Sequence, residues 1–274
     1  VIRSIAKLVS ETGLKILIHG PAGAGKTVMC CTAGEPTLLI SAESGLLSVK
    51  NAPKYIKAAP ITCFDDLEDV YAYLKESAEN PDFKWICLDS ISEMAEQVLF
   101  RAKQGSLDPR RAYGEMQDVV GDSLRRFRDL TDCGYNVVMS CKQQRITDEN
   151  GKSFFGPMMP GQKLHQQVPY LFDEVFALRV EKDKDGGVYR VVQTGRDNAY
   201  EAKDRSGMLD MFEPPNLKKI ARKIKGEEKP EEKTEKIEVK EEVKEEEKVE
   251  ETTTNERKPE EVVIESDEVE TEEV

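Results

Sequence analysis

The chain has 274 residues, with 53 acidic and 40 basic side chains, a formal net charge of −13 and a pI of about 4.9. Residues 227–274 hold 22 Asp or Glu against 8 Lys or Arg, which leaves 31 acidic and 32 basic residues in the rest. The near-neutral body keeps nucleic acid open as a ligand, and no run of about 18 apolar residues offers a membrane span.

The lead-in, residues 1–13 (VIRSIAKLVSETG), lacks the apolar core and cleavage site of a signal peptide. Six cysteines occur without a CxxC pair, and Cys87 and Cys141 fall inside apolar runs. That pattern points to buried thiols in a reducing cytoplasm, and with only His19 and His165 to complete a ligand set it argues against zinc.

In chain order, short apolar runs predict buried strands at Lys15–His19, Thr37–Ser41, Trp85–Asp89, Asn136–Cys141, Glu174–Glu181 and Val188–Thr194. Between them, helical patterns predict helices at Lys26–Ala33, Asp65–Ser77, Ser90–Lys103, Tyr113–Thr131 and Gln162–Leu171. Leu217–Lys225 carries one apolar stripe and a basic opposite face, the pattern of a terminal helix docked on the body. Alternating strands and helices imply an α/β fold with a mainly parallel sheet covered on both faces. The turn KDKDGG between the last two strands gives the sheet an antiparallel edge. One domain is expected over 14–225. The acidic stretch 226–274 has no aromatic residue to build a core, so it reads as a disordered tail.

Gly20-Pro21-Ala22-Gly23-Ala24-Gly25-Lys26-Thr27 fits GxxxxGK[ST] at every fixed position, directly after a strand and running into a helix, with Val28 next in line. Small residues let backbone N–H groups wrap a phosphate at a helix N-terminus, where the dipole favours anions. Lys26 would reach the β- and γ-phosphates of ATP, and the Thr27 hydroxyl would ligate Mg²⁺. A second apolar strand ends in Asp89, the position for a carboxylate that holds the magnesium hydration shell. The next residue is Ser90 rather than Glu, so a water-orienting group must come from elsewhere. Glu43, after the run Leu38–Ser41, supplies one from a strand expected next to the P-loop strand.

These placements resemble RecA-like recombinases. Ser41-Ala42-Glu43 is similar to the strand end that carries their catalytic glutamate, and Leu88-Asp89-Ser90 to their aspartate strand. Val137 to Arg145 resembles the strand that ends in a γ-phosphate-sensing glutamine, with Gln143 or Gln144 as the sensor and Lys142 where the family usually has Asn. A closer resemblance is to phage-encoded, RecA-related ATPases of the single-strand annealing group, also called AAA-domain proteins. Glu43-Ser-Gly45, Gly156-Pro-Met-Met-Pro-Gly161 with Leu171-Phe-Asp-Glu174, and Ala202-Lys-Asp-Arg205 carry it.

The resemblance implies an Mg-dependent ATPase with catalytic residues Lys26, Glu43 and Gln143, acting in recombination, annealing or replication in the cytoplasm of an infected or prophage-bearing cell. It implies a homo-oligomer, in which only about a dozen residues before the first strand favour rings or weaker assemblies over filaments. It also implies single-stranded DNA as partner, held by loops at Gln104–Ala112 and Arg145–Lys163. These offer Arg110 and Arg111, and Lys152, Phe154, Phe155 and Lys163, a mixture of cations and stacking faces that suits single strands. Arg196, Lys203 and Arg205 are the candidates for a cation acting on a neighbour's site. The acidic tail would serve as an arm for replication or single-strand-binding proteins. A loader or adaptor with little hydrolysis is the alternative function.

Overall fold

The computed structural model describes residues 2–43, 45–106, 108–148 and 151–227. The first compact unit runs to Glu231; the second, from Glu232, falls wholly outside the described residues, as does the disorder expected of 228–274.

All six expected strands form: β1 (Lys15–His19), β2 (Thr37–Ser41), β4 (Trp85–Asp89), β5 (Asn136–Thr147), β7 (Glu174–Lys182) and β8 (Val188–Gln193). Sequence patterning missed β3 (Ile56–Pro60), β6 (Ser153–Met158) and the two-residue strands β9 (Lys203–Asp204) and β10 (Phe212–Glu213). The ladder order is β10-β8-β7-β1-β5-β4-β2-β3, with β6 added to β5 and β9 to β7. The strands from β3 to β7 run parallel and the β7–β8–β10 edge is antiparallel, as the turn after β7 foretold.

Each central strand is buried on both faces, and its residues alternate between two cores. Leu17, Ile40, Leu88, Met139 and Val175 face the layer formed by α3 (Phe64–Glu76), α4 (Ile91–Gly105), α5 (Pro109–Asp129) and α6 (Gln162–Gln167). Ile16, Ile18, Leu39, Val138 and Phe176 face α2 (Lys26–Cys30) and α7 (Leu217–Ile224). Helix α7 buries Leu217, Ile220 and Ala221, and caps the short α2: Leu217 N donates to Thr32 Oγ1 at 2.8 Å. Its Lys223 is paired with Glu213 at 2.7 Å, so part of the basic face is neutralised within the domain. The lead-in, for which no element was expected, contains α1 (Ile5–Glu11), started by Ser4 and burying no residue.

Two expected loops are instead regular structure. Helix α5 starts at Pro109, four residues before the expected Tyr113, because Asp108 accepts from Arg110 N at 2.9 Å and Pro109 suits the first helical position. The segment Gln104–Ala112 is thus the end of α4, a short link and the first turn of α5. Likewise β5 continues six residues past Cys141 and folds back as β6, with Arg145↔Phe155 and Ile146↔Phe154 in register. The segment Arg145–Lys163 is thus the outer part of an antiparallel arm, a short link and the first residues of α6, and its Glu149 and Asn150 lie outside the described residues. Among the described residues no helix is long and apolar enough to cross a membrane.

Candidate functional site: a P-loop at the carboxyl edge of the sheet

The parallel strands β1, β2, β4 and β5 all deliver their C-terminal ends to one edge of the sheet, and the predicted nucleotide residues collect there. Gly20 follows β1 and is pressed against β7: a Cβ built on it would meet the Leu178 carbonyl oxygen at 2.6 Å. Gly23 and Gly25 take left-handed φ values of 75° and 98°, which turn the chain into the N-terminus of α2. Lys26 Nζ donates to the carbonyls of Gly20 at 3.0 Å and Pro21 at 3.1 Å, closing the loop over its own backbone. Pro21, Ala22 and Val28 are exposed on the rim, and Ala24 is buried.

Thr27 and Asp89 meet. The Thr27 hydroxyl donates to Asp89 Oδ2 at 2.6 Å, and Ser140 from β5 donates to Oδ1. Asp89 is 4% exposed, so its carboxylate is held by two hydroxyls in a place that water barely reaches. A strand-end carboxylate touching the P-loop hydroxyl is a hard-oxygen pair of the kind Mg²⁺ takes, the remaining ligands being waters and phosphate oxygens. Among the described residues no group of three or more His, Cys, Asp or Glu is placed to hold a metal ion. The thiols nearby are inert: hydrogen bonding to Cys87 and burial push Cys30 up, and burial raises Cys31 to about 11 and Cys141 to about 12.

Glu43 also reaches this edge, but not by the expected route. The neighbours of β1 are β5 and β7, whereas β2 lies between β3 and β4. The strand carrying Glu43 is therefore separated from the P-loop strand by two others, β5 and β4. What links it to the site is Ser90, directly after Asp89, whose hydroxyl donates to Glu43 Oε1. Glu43 is exposed.

The two glutamines after Cys141 point to opposite sides of β5. Gln144 donates to the Pro157 carbonyl in its own arm at 3.3 Å. Gln143 turns toward His19, the residue before the P-loop. Lys142, the departure from the RecA-like pattern, pairs with Glu93 at 2.9 Å and Glu96 at 3.2 Å on α4.

The chain belongs to the AAA-domain family of P-loop ATPases, whose model matches residues 12–206. No curated protein matches the chain. Among solved structures, a KaiC-like protein from the hyperthermophilic archaeon Pyrococcus horikoshii OT3 is similar at 14% identity, over 66% of this chain and 78% of that one, with a TM-score of 0.39.

Within this AAA domain the remaining candidates fall into three groups. Arg110 and Arg111 are exposed in the first turn of α5, with no ion pair among the described residues. The start of α6, with exposed Lys163, is close by: a Cβ on Gly161 would meet Gln117 Nε2 at 3.0 Å and Tyr113 at 3.5 Å. On the β5–β6 arm, Lys152 binds Asn198, and Phe154 is buried beneath the Arg196 guanidinium, 5.1 Å from the ring centre. Phe155 packs on Tyr200 at 5.4 Å. The phenylalanine rings thus pack against their own chain, and only Phe155 retains accessible surface. Lys203 donates to the carbonyls of Pro169, at 2.8 Å, and Phe172, and Arg205 pairs with Asp173 at 2.8 Å. Strand β9, which holds Lys203 and precedes Arg205, pairs with the first residues of β7, the edge of the sheet away from the P-loop.

One contributor was missed. Arg190 of β8 lies over the P-loop, its Nε donating to the Ala24 carbonyl at 2.9 Å and its Nη2 to Gly23 at 3.5 Å. Lys26 and Arg190 together occupy four loop carbonyls, those of Gly20, Pro21, Gly23 and Ala24. The run VYRVVQ by itself does not say which loop Arg190 covers; the β7–β8 pairing does.

Proposed function

We propose that this P-loop ATPase is Mg-dependent and works on single-stranded DNA in recombination, annealing or replication, as an oligomer. The observation that carries the nucleotide chemistry is the 2.6 Å contact between the Thr27 hydroxyl and the buried Asp89 carboxylate at the N-terminus of α2. In this reading the P-loop amides and Lys26 bind the triphosphate of ATP. Thr27 and Asp89 would hold Mg²⁺, which when bound neutralises charge on the phosphates and orients them. Glu43, steered by Ser90, orients the attacking water, and Gln143 reads the terminal phosphate.

The DNA part is supported by the grouping of Arg110, Arg111 and Lys163 on adjoining ends of α5 and α6. Three exposed cations, with no ion pair among the described residues, suit a phosphate backbone, and binding there should weaken steeply with salt. The acidic tail, 14 charges in excess, would compete for such a patch or recruit a basic partner protein.

The test is the ATPase rate with and without oligo-dT for the native chain, Lys26→Ala, Glu43→Gln and Arg110→Ala/Arg111→Ala. Lys26→Ala should lose nucleotide binding. Glu43→Gln should bind normally and hydrolyse about 10²–10⁴-fold more slowly. The arginine pair should lose DNA stimulation while keeping the basal rate. Native activity in Glu43→Gln would remove the water-orienting role, and no effect of DNA on any form would leave the loader or adaptor function in its place.

A further inference from the structure

His19 is 0% exposed and is the last residue of β1, directly before Gly20, yet the chemistry above gives it no task. Its Nε2 lies 2.6 Å from the Glu201 carbonyl oxygen. A carbonyl oxygen can only accept, so the imidazole proton is on Nε2 and Nδ1 presents a bare lone pair. Burial, with the charge of Lys26 adding to it, lowers the His19 pKa to about 4, so near neutrality the ring carries this one proton only.

What faces the bare nitrogen is Gln143. The register His19↔Cys141 puts Gln143 two residues further along the neighbouring strand, and its side chain lies against the ring. Among the described residues neither His19 Nδ1 nor Gln143 Oε1 has a hydrogen-bond partner, although both atoms are buried. Two acceptors facing each other are costly, whereas the other end of the same amide is a donor. A half-turn of the Gln143 amide would satisfy the nitrogen and aim the amide oxygen away from it.

We infer that His19 is a positioning residue for Gln143: its Nδ1 accepts a hydrogen bond from the Gln143 amide and so sets which end of that amide faces the nucleotide. This rests on the reading of Gln143 as the group that reports the terminal phosphate. The same ring is tied through Glu201 to the β5–β6 arm, because Glu201 N donates to Phe155 O at 2.8 Å and Phe155 N to Ala199 O at 2.7 Å. A change at Gln143 thus has a short bonded path from the P-loop to the arm that bears Lys152 and Phe155.

The chain has only two histidines, so ¹⁵N-histidine labelling yields two imidazoles to assign. In the full chain at neutral pH, His19 should show the Nε2–H form with a hydrogen-bonded Nδ1, and Gln143→Leu should move Nδ1 to its unbonded position. His19→Phe should lower kcat about tenfold with KM for ATP unchanged, and His19→Phe/Gln143→Leu should be no slower than Gln143→Leu alone. An Nδ1 resonance indifferent to Gln143→Leu, or losses that simply add, would overturn the inference. If Gln143→Leu hydrolyses ATP at the native rate, the reporting role of Gln143 fails. The Nδ1 resonance of the native chain and of Gln143→Leu, in which His19 is intact, still decides the hydrogen bond, even if His19→Phe does not fold.

Discussion

Two glycines of the P-loop should fail for opposite reasons when substituted. Gly20 has no left-handed φ; its constraint is space, because the register Ile18↔Phe176 and His19↔Ala177 brings it opposite Leu178 of β7. A Cβ there would lie 2.6 Å from the Leu178 oxygen, where ordinary contact begins at 3.4 Å, so β1 and β7 must part by about 0.8 Å. Forcing such a shift in a packed interior costs about 1–3 kcal/mol, which for a domain of this size lowers Tm by about 2–12 °C. Gly23 has φ 75° and nothing within 4 Å of a Cβ, so its constraint is backbone conformation alone. Alanine there costs about 1–2 kcal/mol, and Asn, which visits the left-handed region, should recover part of it. Thermal unfolding and ATP titration of Gly20→Ala, Gly20→Asn, Gly23→Ala and Gly23→Asn would check this. The expected order is Asn worse than Ala at Gly20 and better than Ala at Gly23. The same order at both positions would refute the distinction between space and φ.

Arg190→Ala should weaken ATP binding by about tenfold, as loss of a charge-assisted bond to the loop does, with Arg190→Lys between it and the native chain in calorimetry. Thr27→Val removes the hydroxyl on Asp89 without changing shape, so half-maximal ATPase should require several-fold more magnesium, whereas Thr27→Ser should behave as the native chain. Glu174 is held at about 8, against an ordinary 4.5, by burial and then by the charge of Asp204. The folded state binds this proton more tightly than the unfolded chain. Its contribution is therefore full below about pH 4.5 and is lost as pH rises toward 8. Urea unfolding from pH 5 to 9 should show that decline in the native chain and a flatter profile in Glu174→Gln.

The P-loop and the strand ending in Asp89 were legible because each is a local pattern whose chemistry depends on residues a few places apart. The six main strands were legible too, since burial on both faces leaves continuous apolar runs. β3 and β6 were not. β3 (IKAAP) alternates weakly on an outer strand, and β6 looks like loop because Gly156 and Pro157 interrupt it; it is a strand only because β5 lies alongside. The loops expected to hold DNA were misread for the same kind of reason. A Pro at a helix start and a strand that outruns its apolar portion both look irregular when the partner element is out of sight.

Sequence by itself determined the P-loop, the aspartate strand, the α/β rhythm and the concentration of negative charge beyond residue 226, all set by neighbouring residues or by composition. Tertiary structure decided the strand order, and with it that Glu43 comes to the site through Ser90 rather than from the strand beside β1. It also decided that Phe154 is buried, that Arg190 covers the P-loop and that His19 faces Gln143. Each of these joins residues tens to well over a hundred positions apart. Such pairs meet only when the sheet sets its register, and a one-dimensional pattern carries no record of that register.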